Sequence, residues 1–181
     1  TEENTLSLHD ALPILLALQN SPQYVIAFYA LLRLRAVIVP ANPMSRGEEF
    51  AHYIADSQAR LAIGAADLVT EFGRAQSLLA PDARLERLLV ADYTDAMPTE
   101  LAPDDAPPAA WQSWLRPAAD MPTWALHWRD AMADAFDAPD YISDADDLMA
   151  LCYTSGTTGQ PKGCMHKIGR ASCRERVFSS V

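Results

Sequence analysis

The sequence predicts an α/β fold in which a mostly parallel sheet carries helices on both faces, and three observations carry that prediction. Short, wholly apolar segments alternate with amphipathic helical segments three times before residue 94. Strands that are apolar throughout, rather than on every second residue, are covered on both faces, as parallel strands joined by right-handed helical crossovers are. A fourth apolar segment then runs into "YTSGTTGQPKG", Tyr153 to Gly163, which places a glycine- and hydroxyl-rich loop at the carboxyl edge of the sheet, where ligands bind in open parallel folds.

The elements follow in order. In "NSPQYVIAFYALLRL" Ser21 can cap a helix, Pro22 fits its first turn, and Val25, Phe28, Tyr29 and Leu32 share a face. "AVIVPANP" is a short strand stopped by Pro40 and Pro43, and "RGEEFAHYIADSQ" is a second helix with Phe50, Tyr53 and Ile54 on its inner side. "RLAIG" is the next strand, "AADLVTEFGRAQSLL" a third helix weakened by Gly73, and "RLERLLVADY" contains a strand centred on Leu88 to Val90. From Thr94 to Pro122 six prolines (Pro98, Pro103, Pro107, Pro108, Pro117 and Pro122) block long helices and central strands, so this stretch reads as a linker or surface excursion. "TWALHWRDAMADAF" reads as a helix whose Trp124, Trp128 and Met132 recur every four residues, a spacing that packing onto the sheet explains more simply than an acyl-binding groove. "LMALCYT", Leu148 to Thr154, is the fourth strand.

Composition narrows the function classes. Half the residues are apolar and 21% charged, as in soluble globular chains. A net charge of −10, from 14 Lys and Arg against 24 Asp and Glu, excludes a nucleic-acid-binding surface, which needs clustered cations. Cys152, Cys164 and Cys173 form an odd set without a CxxC pair, so neither a disulfide framework nor a zinc site is expected and a reducing cytoplasm fits best. "ALPILLAL", Ala11 to Leu18, is too short to span a membrane and follows Glu2, Glu3 and Asp10 rather than the basic residues of a signal peptide. His52 and His127 stand alone on helices and read as structural or solvated. "DAPDYISDADD" lacks the sixth-position glycine and closing glutamate of a calcium loop and reads as a solvated acidic turn, so no residue set is assigned to a metal.

The loop after the fourth strand carries the chemistry. Glycines let backbone amides converge on an anion, Thr and Ser hydroxyls donate further hydrogen bonds, and a lysine adds charge, which together are the needs of a polyphosphate. Each hydrogen bond to a charged partner contributes about 1.5 to 3 kcal/mol, enough in combination to hold a triphosphate on an acidic protein. Pro161 stiffens the turn before Lys162. The spacing is not that of the common nucleotide-triphosphatase loop, because the residue five after Gly156 is Pro161 rather than a glycine followed by lysine.

"YTSGTTGQPKG" resembles the phosphate-loop signature of the AMP-forming adenylating superfamily, and "NSPQYVIAFYALLRLRAVIVPANPMSRGEE" is similar to an early block of its fatty-acid and other acyl-CoA ligases. The resemblance implies an incomplete amino-terminal part of the adenylating-enzyme large domain. It implies a parent that activates a carboxylic acid with ATP, releases pyrophosphate, and passes the acyl group from the adenylate to the thiol of CoA. Thr154, Ser155, Gly156, Thr157, Thr158, Gly159 and Lys162 would surround the β and γ phosphates, with magnesium bridging them. Family members continue well beyond this loop, so the catalytic residues are expected past the end of this sequence, and the chain alone is expected to be inactive.

The two ends stand apart. "TLSLHDALPI" and "KIGRASCRERV" resemble translated sequencing-adapter read-through, and the second gathers Lys167, Arg170, Arg174 and Arg176 in an otherwise acidic chain. Residues 1–14 and 167–181 are therefore expected to be non-native, with 15–166 a partial AMP-binding domain from a truncated gene product, interrupted by the proline-rich excursion at 94–122. Two other readings remain at this point: a non-catalytic phosphate- or nucleotide-binding α/β module, and a structural protein whose loop is ordinary turn chemistry.

Overall fold

The computed structural model describes residues 12–98, 100–111, 115, 121–134, 136–138, 140, 144–154 and 161–171. Within them, one sheet holds β1 (Pro13–Ala17), β2 (Val37–Pro40), β3 (Leu61–Ala65), β4 (Arg87–Ala91), β5 (Ala125–His127), β6 (Leu148–Thr154) and β7 (Lys162–Lys167), in the order β5-β4-β3-β1-β2-β6-β7. Every neighbouring pair is parallel except β6 with β7, which is antiparallel. The helices are α1 (Pro22–Arg33), α2 (Gly47–Ser57), α3 (Val69–Leu78), α4 (Trp128–Ala133) and the single turn α5 (Ile168–Ala171). The chain steps from β1 to β2 in one direction along the sheet and from β2 through β3 to β4 in the other. Right-handed crossovers therefore place α1 on one face and α2 and α3 on the opposite face.

The centre of the sheet is β1. Leu15 pairs with Val39 on one side and Ala62 on the other, and Leu15, Leu16 and Ala17 have no solvent exposure. Each such leucine contributes about 1.5 to 3 kcal/mol by burial, so the apolar run is core rather than tail. Pro13 and Ile14, within the stretch set aside as a non-native end, are the first two residues of this strand, and Ile14 is buried between Ile38 and Leu61 in the ladders.

Helix α1 begins as its sequence predicts: the Ser21 hydroxyl accepts from the Tyr24 amide at 3.3 Å, and Pro22 occupies the first turn. Its inward face differs from the predicted one. Gln23, Ala27 and Leu31 are buried, with Tyr24, Phe28 and Leu32 packed beside them, whereas Val25 and Tyr29 are 53% and 66% exposed. The helix is apolar nearly all round, so spacing alone does not choose a face. Gln23 can be inward because its amide donates to the Asp92 carbonyl at 2.9 Å.

On the other face α2 and α3 lie side by side, as the buried Phe50, Tyr53 and Ile54 require. The Phe50 and Phe72 rings stack at 4.6 Å and 11°. Phe72 also presses onto β3 at Gly64, where a Cβ would come within 2.5 Å of the ring, so only glycine fits beneath it. The β4 strand Arg87–Ala91 falls where the sequence puts it. The excursion after it shows only short 3-10 turns among the described residues, at Tyr93–Ala96, Pro103–Asp105 and Ala109–Trp111.

The segment predicted as one helix through Trp124, Trp128 and Met132 is instead a strand followed by a short helix. Ala125, Leu126 and His127 pair with Leu88, Leu89 and Val90 of β4, and the helix starts only at Trp128. The open edge of β4 offers a row of backbone partners, and extending along it satisfies more of them than an extra helical turn would. Trp128 is buried while Met132 is exposed, so the three side chains form no continuous stripe. His127 therefore closes a strand rather than standing on a helix. No helix among the described residues is long and apolar enough to cross a membrane.

Replacing Leu16 with Ala should cost about 2 to 5 kcal/mol of unfolding free energy, because it opens a cavity in the central strand. Val25→Ala should stay within about 0.5 kcal/mol. Denaturant unfolding of the two variants checks both, and equal effects would show that β1 is not central.

Candidate phosphate-loop site

The site is built on β6, which reaches the carboxyl edge of the sheet beside β2, joined to it through the pair Ile38 and Ala150. From Ala150 onward β6 is in continuous register with β7: Ala150 with His166, Leu151 with Met165, Cys152 with Cys164, Tyr153 with Gly163, and Thr154 with Lys162. The loop predicted to hold phosphate thus leaves at Thr154 and returns at Lys162, directly opposite. Both residues are exposed. Paired residues of an antiparallel ladder share a face, so the first hydroxyl and the lysine of the motif stand side by side at the loop mouth. Ser155, Gly156, Thr157, Thr158 and Gly159 lie outside the described residues.

Helix α2 braces this mouth from the face carrying Tyr153. The Nε2–H of His52 donates to the Pro161 carbonyl at 2.8 Å, and since a carbonyl only accepts, Nε2 carries the proton. One turn along the same helix, Asp56 accepts a 2.6 Å hydrogen bond from the Tyr153 hydroxyl. The Tyr53 and Tyr153 rings meet at 4.7 Å, His52 approaches Tyr153 edge-on at 5.9 Å, and the Tyr153 ring covers Gly163. One side of the loop, through Pro161, and its root, through Tyr153, are therefore fastened to one rigid helix. Burial, and then the hydrogen bond to Asp56, push the Tyr153 phenol well above the usual tyrosine range.

Helix α2 is itself fixed at its start. The Glu49 carboxylate accepts from the Arg46 amide at 2.9 Å, Glu71 of α3 accepts from the Gly47 amide at 2.8 Å, and Arg46 pairs with Glu71 at 3.2 Å. At the opposite end of β6, Asp147 receives the Asp144 amide and the Arg35 guanidinium, each at 2.9 Å, and these hold its carboxyl below the usual range. Lys167 pairs with Asp146 at 2.9 Å, which ties the far end of β7 to the acidic turn. That turn is closed by its own carboxylates, and the described residues contain no group of three His, Cys, Asp or Glu able to hold a metal.

His52, Tyr53 and Asp56 were not legible as site residues. Tyr53 read as core, and nothing in the spacing of α2 points to a strand about a hundred residues later. The cross-strand approach of Cys152 and Cys164 was equally hidden. The excursion, which shows no pocket pattern in sequence, borders an open pocket of about 430 Å³ at the carboxyl ends of β1 and β4, lined by Gln19, Ser21, Tyr93, Met97, Pro108 and Trp111.

The family model described as "AMP-binding enzyme" matches residues 6–178, which includes part of both stretches set aside as non-native. Among curated proteins, 4-coumarate–CoA ligase CCL1 of Humulus lupulus is 34% identical over 156 residues, covering 84% of this chain and 23% of its own length. Anthranilate–CoA ligase of Pseudomonas aeruginosa is 30% identical over 167 residues, covering 92% and 26%. The crystal structure of the N-terminal domain of FACL13 from Mycobacterium tuberculosis superposes with a TM-score of 0.61 at 22% identity, over 87% of this chain and 31% of that one, which shows the shared fold. The chain spans about a quarter of the length of the curated relatives it matches.

The raised Tyr153 phenol makes a pH prediction. A phenol whose folded pKa lies above its unfolded value of about 10 adds stability that is fully present below pH 10 and is lost as pH rises toward the folded value. Tyr153→Phe should therefore flatten the alkaline decline in stability, read by urea unfolding at a series of pH values from neutral upward. An unchanged slope would mean that burial and the Asp56 contact do not hold the phenol protonated.

Proposed function

Because this chain belongs to the AMP-binding enzyme family, we propose that it forms part of the large domain of an ATP-dependent, AMP-forming carboxylate–CoA ligase. The parent joins a carboxylic acid to AMP with loss of pyrophosphate, then exchanges AMP for the thiol of CoA. The observation that carries the reading is the placement of Thr154 opposite Lys162 at the carboxyl end of a parallel strand, with the motif "SGTTGQP" between them. The relatives whose printed names are CoA ligases support the two-step chemistry.

In this reading Thr154, Ser155, Gly156, Thr157, Thr158, Gly159 and Lys162 surround the β and γ phosphates. Backbone amides and hydroxyls supply directional donors, and Lys162 supplies the charge that is absent from an otherwise acidic surface. The hydroxyls of the motif, Thr154 among them, would hold magnesium beside the bound phosphates. The donors offered are hydroxyls, and the described residues contain no acidic cluster to make a cage. Magnesium would supply charge neutralisation on the phosphates. The chain's own part is to hold pyrophosphate in line as it departs, and the α2 brace keeps the lysine and the first hydroxyl at a fixed separation for that task. A cytoplasmic parent fits a reaction that consumes ATP and CoA.

The alternative, a phosphate-binding module without chemistry, accounts for the loop but not for the similarity to CoA ligases over most of the chain. The 181 residues alone are expected to give no ATP–pyrophosphate exchange above the no-enzyme background, since positioning supplies most of the acceleration in such reactions and this chain spans about a quarter of the relatives' length.

The test is a comparison of half-reactions in the full-length parent. Lys162→Ala should slow adenylate formation by about 30-fold to 1,000-fold, the loss of one charge-assisted contact to a leaving group, or about 2 to 4 kcal/mol. Conversion of presynthesised acyl-adenylate and CoA to thioester should suffer much less. An equal fall in both would show that Lys162 supports the fold or the acyl site, and would overturn the phosphate reading.

A further inference from the structure

The β6–β7 register brings together two side chains that the ligase reading leaves unused. Cys152 and Cys164 are direct partners across an antiparallel ladder. Such partners have Cα atoms about 4.5 or 5.5 Å apart and side chains on the same face, inside the range a disulfide can bridge. Both are free thiols here, Cys164 exposed and Cys152 half-buried. The Cys152 thiol is pushed up first by burial and then by Cys164 itself, and Cys152 in turn acts on the Tyr24 phenol of α1. The pair therefore lies on the α1 face of the hairpin, away from the Tyr153 brace on α2. Two residues beyond each cysteine stand Thr154 and, in the other direction along β7, Lys162.

We propose that Cys152 and Cys164 form a dithiol site that small disulfides oxidise reversibly to a cross-strand disulfide clasping the stem of the loop. The exposed Cys164 thiolate attacks one sulfur of a disulfide such as oxidised glutathione, forming a mixed disulfide and releasing one glutathione thiolate. The Cys152 thiolate then attacks the Cys164 sulfur and expels the second. Two cysteine thiols lose two protons and two electrons, and one glutathione disulfide becomes two glutathione thiols. Free thiols return on exposure to excess reductant. A bond at this position covalently fixes the separation of the strands that carry Thr154 and Lys162. Its consequence for phosphate binding rests on the function proposed above, but the linkage itself does not, so mapping it tests the clasp even if the loop binds no phosphate.

The experiment oxidises the folded 181-residue chain with glutathione disulfide, alkylates the remaining thiols and maps linkages by mass spectrometry without reduction. The expected product is a Cys152–Cys164 linkage, two hydrogens lighter than the reduced peptides, lost on adding dithiothreitol. The preference should disappear when oxidation is carried out in denaturing urea, since only the fold sets the two cysteines opposite each other. With Cys173→Ser the same linkage should form and retain no glutathione, whereas Cys152→Ser should stop at a glutathione adduct on Cys164. Linkages chiefly to Cys173, or two thiols that remain alkylatable after oxidation, overturn the proposal. So does a glutathione adduct that persists on Cys164 while Cys152 is present.

Discussion

Two backbone ladders converge on β1, and every other strand is placed by reference to it. Leu15, Leu16 and Ala17 have no exposure because β2 and β3 cover the edges of β1 while helices cover its faces. From β2 the sheet continues to β6 and then β7, so the position of the loop is set by a chain of pairings that starts at Leu15 and Leu16. The ladder between β2 and β6 is the narrow link in that chain, with one register pair, and the Arg35–Asp147 bridge sits at its foot. That bridge is largely exposed on the arginine side, so its contribution is modest and its role is alignment more than stability.

Antiparallel pairing of β7 against a parallel sheet has a chemical consequence. A parallel strand would have to return over the top of the sheet, whereas a hairpin brings the chain straight back and leaves a loop whose two ends face each other. The first hydroxyl and the lysine of the motif thereby become neighbours. Helix α2 then fixes the mouth from one face through His52, Tyr53 and Asp56, and it is itself pinned to α3 through Glu71 and the Phe50–Phe72 stack. Phosphate chemistry rewards such rigidity, because donors that are already in place do not have to be ordered when the ligand arrives.

Much of the fold was legible in the sequence. Ser21 and Pro22 marked the start of α1, the apolar runs gave β2, β3, β4 and β6, and Phe50, Tyr53 and Ile54 marked the buried side of α2. The strands that were missed share a physical reason. In β1 a fully apolar run carries no period to tell strand from tail, β5 has only three residues, and "KGCMHK" in β7 has no β-branched or aromatic residue and forms by pairing with β6. The face of α1 misled because apolar residues surround it. Of the candidate site, the motif was plain but its supports were not, since the contacts of His52, Asp56 and Cys152 join residues that only the register of the sheet brings together.

In the proposed function Lys162 reaches the terminal phosphates of ATP. The most direct measurement uses an ATP analogue with a reactive acyl group on its γ phosphate, which transfers that group to a lysine amine lying against it, with the full-length parent as target. The expected result is label on Lys162 that ATP prevents, with Lys167, engaged by Asp146 at the far end of β7, left unlabelled. ATP-preventable label on other lysines with Lys162 unmodified would contradict it.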